Sequence, residues 1–288
     1  MENIQNTVNP LTHFMRQPKI YIKLPSQGQY WPPGSLIKTE NQEYPVYSMT
    51  AKDELILKVP DALMNGQAVV DVIQNCVPNI KNAWAIPSID VDYILIAIRI
   101  ATYGEKMNFP ISISDDYNVD YEVDLRNIMD RLTAQITWEP VIPINENLTV
   151  YVKPITYKNI TESALQTFET QKIIQIANDD SFSEENKIKA FQESFAKLNS
   201  VTINLVSNSI YRIDSSAGST ENPKFIKEFI ENVDKEIFNV IQNHLDILKE
   251  KNILKPITVD VTEEMRNLGV QGDTIEVPLV FDASNFFV

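Results

Sequence analysis

"MTAKDELILKVPDALMNGQAVVDVIQNCVP", Met49 to Pro78, is the stretch on which the reading of this chain turns. Thr50 stands where a helix cap belongs, and Asp53 follows three residues later, the spacing of a capping box. Leu55, Ile56 and Val59 supply an apolar side. Pro60 ends the helix, because it has no N–H to donate and its ring crowds the preceding turn. Asn65 then caps a second helix to about Asn75, stopped by Pro78. Val69, Val70, Ile73 and Cys76 fall on one face of it. Cys76 is the only cysteine. On that face it is expected as a small buried residue. A reactive thiol needs a nearby base, and the only histidines are His13 and His244.

The helical pattern continues downstream. Asp90 is expected to cap "VDYILIAIRIATYG", with Gly104 at the C-terminal position that favours a positive φ. This helix is apolar almost all round, so it belongs at the centre of a core. Asp92 and Arg99, seven residues apart, share one side of it. Arg99 either serves a buried carboxylate or extends its charged head to solvent.

Upstream, residues 1–48 contain six of the sixteen prolines and carry net charge +1, against −15 for the remainder of a chain with net charge −14. "KIYIKLP" (Lys19–Pro25) and "EYPVYSM" (Glu43–Met49) read as extended pieces around a Pro/Gly turn. This segment is either an arm that docks on another surface or a part of its own domain. The acidic body repels phosphate backbones, which argues against nucleic acid as a partner. The start lacks the apolar region of a secretory signal, and no run is long enough for a membrane span.

Residues 105–155 turn to β structure. "FPISIS" (Phe109–Ser114) and "VDYEVDL" (Val119–Leu125) form an expected hairpin, and "LTVYVKPI" (Leu148–Ile155) a further strand. Alternation places Asp120, Glu122 and Asp124 on one strand face beside Asp115 and Asp116. Such a cluster is a cation site or basic-partner contact on one reading. On the other it is a solvated edge that discourages aggregation. Residues 157–252 read as three or four long helices. Ile188, Phe191, Phe195, Leu198 and Leu205 form one stripe, and Ile226, Ile230, Val233, Ile237, Val240 and His244 another. Heptad-like stripes pack within a bundle or face a partner helix, so self-association through the long helices is the second possibility. The tail returns to β structure through Lys255–Thr262 and Asp273–Phe281. The tetrapeptide KPIT occurs at Lys153–Thr156 and again at Lys255–Thr258, a weak hint of repetition.

The expected fold class is therefore α+β: a mixed small-sheet and helical domain, with a long-helix bundle inserted before a C-terminal β segment. The division is an extended arm (1–48), a helical core with a hairpin (49–155), a helical bundle (156–253) and a β segment returning to the first domain (254–288). Catalytic constellations are missing from this reading. Seven glycines provide no phosphate loop. One cysteine and two distant histidines make no His/Cys zinc site. No cofactor, metal or catalytic residue is expected, and the chain is not expected to be an enzyme.

"NPLTHFMRQPKIYIKLPSQGQYW", "YPVYSMTAKDELILKVPDALMNGQAVVDVIQNCVPNIKNAW" and "DVDYILIAIRIATYGEKM" together resemble the baseplate hub assembly protein family of T4-like contractile-tailed bacteriophages. The likeness covers about residues 9–125, and "VPLVFDASNFF" is similar to the family's C-terminal end. It implies a role in hub assembly, with baseplate hub or tail proteins as partners. It also implies a location in the host cytoplasm during assembly or in the tail baseplate. A permanent baseplate subunit is the alternative, and a tail-associated hydrolase a further one. Some relatives carry Cys pairs in the two hairpin regions, suggestive of zinc ribbons. Here 109–125 and 256–281 contain no Cys, so apolar packing must replace any metal. The partner surface is expected on Thr50–Pro78 and the arm before it. Thr50, Lys52, Asp53 and Asp61 are its contacts, and Asn65 and Gly66 set the angle between two short helices.

Overall fold

The computed structural model describes residues 9–114, 117–135, 137–177, 184–267 and 269–277. After a single helical turn at Pro10–Phe14, strands β1 (Pro18–Ile22) and β2 (Tyr44–Tyr47) pair antiparallel, with Ile22 opposite Tyr44. Helices α1 (Ala51–Leu57), α2 (Pro60–Met64), α3 (Gln67–Cys76) and α4 (Ser88–Tyr103) follow. Strands β3 (Lys106–Ser114) and β4 (Tyr117–Asp124) form the expected hairpin, and α5 (Leu125–Gln135) closes it. Next come β5 (Val141–Asn145), β6 (Leu148–Val152), α6 (Tyr157–Ala177), α7 (Glu184–Ser209), β7 (Ile210–Ser215) and β8 (Gly218–Thr220). The described chain ends with α8 (Pro223–Asn232), α9 (Lys235–Asn252), β9 (Ile257–Asp260), α10 (Glu263–Asn267) and β10 (Thr274–Val277). Helices with small, separate antiparallel sheets make this an α+β fold, as expected.

Two hydrophobic clusters organise the described residues. The first joins β1, β2 and α1 to α5 with the β3–β4 and β9–β10 hairpins. In α3, Val70, Ile73 and Cys76 are all buried, the face expected from sequence. In α4 the only helix positions not buried are Ser88, Asp92, Arg99, Thr102 and Tyr103. Phe109, Val123, Ile257, Val259 and Val277 bring both cysteine-free hairpins into the same apolar cluster. The second cluster lies between the sheet β5-β6-β7-β8 and α8, α9 and the end of α7. Pairing of β6 with β7 carries this sheet across residue 155, where the sequence suggested a boundary.

Several local expectations need correction. Proline 60 does not merely stop α1; it opens α2, at the first helical position where a missing N–H costs nothing. Gly66, with φ of +77°, is the residue preceding α3, and Asn65 lies one position further out. Pro87, not Asp90, precedes α4. The stretch 157–252 is not all helix, because β7 and β8 interrupt it, and its last helix breaks into α8 and α9 at Val233–Asp234. The two KPIT copies do different work. Thr156 starts α6, donating its N–H and hydroxyl to Asn159 Oδ1, whereas Ile257 opens β9.

Packing along α6 and α7 inverts the usual arrangement. Among the described side chains of the pair, the deepest burial falls on Thr170, at 0% exposure, and Ser194, at 1%. Phe168, Ile188 and Phe195 face outward, Phe195 at 62% exposure. Two members of the expected α7 stripe therefore lie outside the hairpin instead of in a bundle core.

Candidate partner-binding face

Thr50 and Asp53 form the capping box that their spacing predicts. The Thr50 N–H and hydroxyl donate to Asp53 Oδ2 at 2.7 and 2.8 Å, and the Asp53 N–H donates back to Thr50 Oγ1 at 3.3 Å. Asp53 is nevertheless only 1% exposed. Burial of a carboxylate demands partners, and these come from outside the cap. Asn75 Nδ2 donates to Asp53 Oδ1 at 2.9 Å, and Arg16 Nη1 lies 3.5 Å from Oδ2. Arg16 also donates to the carbonyls of Ser48 and Asn75, both at 2.7 Å, and its guanidinium lies over the Tyr47 ring. One arginine thus fastens the N-terminal arm to α1 and to the end of α3.

Cys76 lies beneath this node, with Sγ 3.8 Å from Arg16 Nη1. Desolvation, followed by the Asp53 charge, pushes its thiol up to about 12 against the opposing pull of Arg16. It stays protonated at neutral pH and is a packing residue, not a nucleophile.

The remaining expected contact residues divide. Thr50, Lys52 and Asn65 are exposed. Asn65 Oδ1 accepts the Gln67 N–H at 3.0 Å. Asp53 and Gly66 are buried, so neither offers a polar contact to a partner. The side chain of Asp61 lies outside the described residues, as do Asp115 and Asp116 of the acidic cluster. Gly66 faces α6: a β-carbon there would stand 2.8 Å from Thr161 Cγ2 and 3.2 Å from Trp84. Trp84 stacks on Tyr157 with centroids 5.8 Å apart. Its role is to let α6 seat against the first cluster.

What the surface presents instead is apolar. Leu55 on α1 (66% exposed), Val59 in the link and Met64 on α2 are exposed, whereas the spacing places Leu55 and Val59 on an apolar inward side. Leu57 takes the buried position. On the arm that Arg16 holds, Leu11, Phe14 (85%) and Met15 are exposed as well. Neither the position of Arg16 nor the outward turn of Leu55 follows from local spacing. The only available signal was the excess of basic over acidic residues before position 49.

Asp120, Glu122 and Asp124 are exposed on one face of β4, and Glu122 pairs with Lys106 Nζ at 2.6 Å. Among the described residues no group of three or more His, Cys, Asp or Glu is arranged to hold a metal. His244 is partly buried in α9, with Nε2 3.1 Å from the Glu139 carbonyl. Among the described residues no helix is long and apolar enough to cross a membrane.

An arginine-fastened arm beside exposed apolar helices defines a candidate protein-binding face. The family described as T4 bacteriophage base plate protein matches residues 15–268, and the chain belongs to that family. Its role is accordingly related to the phage baseplate. No curated protein and no solved structure matches the chain.

Proposed function

We propose that this protein assists assembly of the baseplate hub by binding other tail proteins and is not an enzyme. The observation that supports this reading is the exposure of Phe14, Met15, Leu55 and Val59 on an arm and helix that Arg16 joins through Asp53. Exposed apolar side chains on ordered elements are what a partner surface needs. Lys52 at the rim supplies charge for orientation. On this reading the work takes place in the host cytoplasm during assembly, and residence in the tail baseplate belongs to the second reading below.

The test is co-expression with candidate hub and tail subunits, with Phe14→Ser and Leu55→Ser as variants. Both residues are exposed, so melting should stay within about 0.5 kcal/mol of the parent. Capture of the hub subunit should fall at least tenfold. Undiminished capture by the double variant would defeat the assignment of this face.

A permanent baseplate subunit remains the second reading, because the family supports a baseplate role of either kind. Mass spectrometry of purified virions separates the two. Stoichiometric recovery supports the structural subunit, and loss from mature particles supports the assembly factor.

A further inference from the structure

Three carboxylates are drawn into the first half of this molecule, and the fold treats one of them differently. Asp53 is met by Thr50, Asn75 and Arg16. Asp90 accepts the Ser26 N–H at 2.8 Å, the Ser26 hydroxyl at 2.5 Å and Trp31 Nε1 at 2.8 Å. Asp92, half a turn further along α4, makes no hydrogen bond or ion pair among the described residues. Its side chain is partly exposed at the cavity wall, and desolvation by the surrounding protein raises its carboxyl above the usual range.

Asp92 lines a cavity of about 530 Å³ between α4, α6, α7 and α9. The volume is that of an ordinary ligand site. One edge is tied: Ser88 N–H donates to the Ile155 carbonyl and Tyr157 N–H to the Ile86 carbonyl, both at 2.8 Å, stitching the start of α6 to the start of α4. Ile89, Ile160, Leu205 and Leu245 make the lining largely apolar. The other charged lining residues are Asp246 and Lys249, both exposed on α9. The lining from α6 and α7 is uncharged.

An unpartnered carboxylate in an apolar pocket is costly by itself and strongly attractive to a complementary donor. We propose that this cavity receives a lysine or arginine side chain from a partner protein, its alkyl stem along the apolar wall and its cationic head on Asp92. A cation is favoured over a neutral donor because an ion pair gains more at a partly desolvated carboxylate than in open water. A peptide source fits a baseplate protein, whose partners are other tail proteins. The site is separate from the α1 face, so its fate does not depend on that reading.

The experiment titrates the full chain with N-acetyl-Leu-Lys-Leu-amide and with the same peptide carrying norleucine in place of lysine, followed by NMR. The lysine peptide should bind saturably and at least tenfold more tightly. Asp92→Asn should erase that preference while raising the thermal midpoint at pH 7, since it removes an uncompensated charge. Equal binding of the two peptides, undiminished preference in Asp92→Asn, no binding at millimolar peptide, or a lowered midpoint would each overturn the proposal. The last would reveal a structural partner for Asp92.

Discussion

α4 and α7 are both long helices with apolar side chains at helical spacing, yet they place those side chains differently. α4 buries Ile94, Ile96 and Ile98, residues that fall on different sides of the helix, because β strands and helices surround it. α7 buries Ser194 and Val201 and leaves Ile188 and Phe195 in solvent. The lesson is that periodicity reports which residues can share a face, and not which face meets another element. In α4 every face is occupied, so the distinction vanishes. In α7 the C-terminal end is packed into the second cluster, whereas around Ile188 and Phe195 one side of the helix is left to solvent.

The sharpest test of this contrast places a charge in the first cluster. Val70→Asp or Ile73→Asp should each cost more than about 4 kcal/mol, because an unpaired carboxylate enters a packed site. Loss of the cooperative melt by circular dichroism is the expected result, and a native-like melt would show that α3 presents another face.

Gly66→Ala probes the joint between the two regions. A positive φ costs a residue with a β-carbon about 1–2 kcal/mol, and the 2.8 Å approach to Thr161 adds a clash. We expect a loss of about 3 kcal/mol in total. Adding Thr161→Ala should recover the steric part and not the backbone part, which a double-mutant cycle in urea measures.

Asp90 gives the comparison a pH dependence. Burial raises its carboxyl to about 6, despite the hydrogen bonds from Ser26 and Trp31 that oppose the rise. The folded state therefore holds a proton that the unfolded chain, with a carboxyl near 4, releases earlier. This group's contribution to stability is full below about pH 4 and is lost as pH rises through about 6, a change of about 3 kcal/mol. Denaturant titrations at pH 4 and pH 7 should show the gap between the parent and Asp90→Asn narrowing as pH rises. A constant gap would show that Asp90 does not titrate in this range.

The smallest effect belongs to α7. Phe195→Ala removes an exposed ring and should change stability by less than about 0.5 kcal/mol, whereas Ile94→Ala in α4 should cost about 3 kcal/mol. Similar losses at the two sites would mean that the α7 stripe is covered in solution, as self-association through the long helices would require.

Much of the local structure was readable beforehand. The Thr50/Asp53 capping box, the buried face of α3, the central position of α4 and the β3–β4 hairpin all rest on neighbours within a few residues, where spacing dictates geometry. β7 and β8 were passed over although Ile210 and Ile213 turn inward and Ser215–Gly218 makes a tight reversal, because the apolar pattern of α7 runs directly into them. Two of the residues expected on the partner surface, Asp53 and Gly66, are buried instead. Asp53 carries the reason: a cap residue ordinarily stays wet, and this one is buried by Arg16, which precedes it by 37 positions.

The sequence by itself determined the Thr50/Asp53 cap, the break at Pro60, the buried face of α3 and the likeness to a baseplate family. Tertiary structure decided which apolar faces are covered. It turned Leu55 outward, gave Asp53 and Asp90 their donors, left Asp92 facing a cavity and seated α6 on Gly66. Short-range geometry follows from bonded neighbours and hydrogen-bond spacing. Burial follows from contacts between residues far apart in the chain, and no local pattern encodes those.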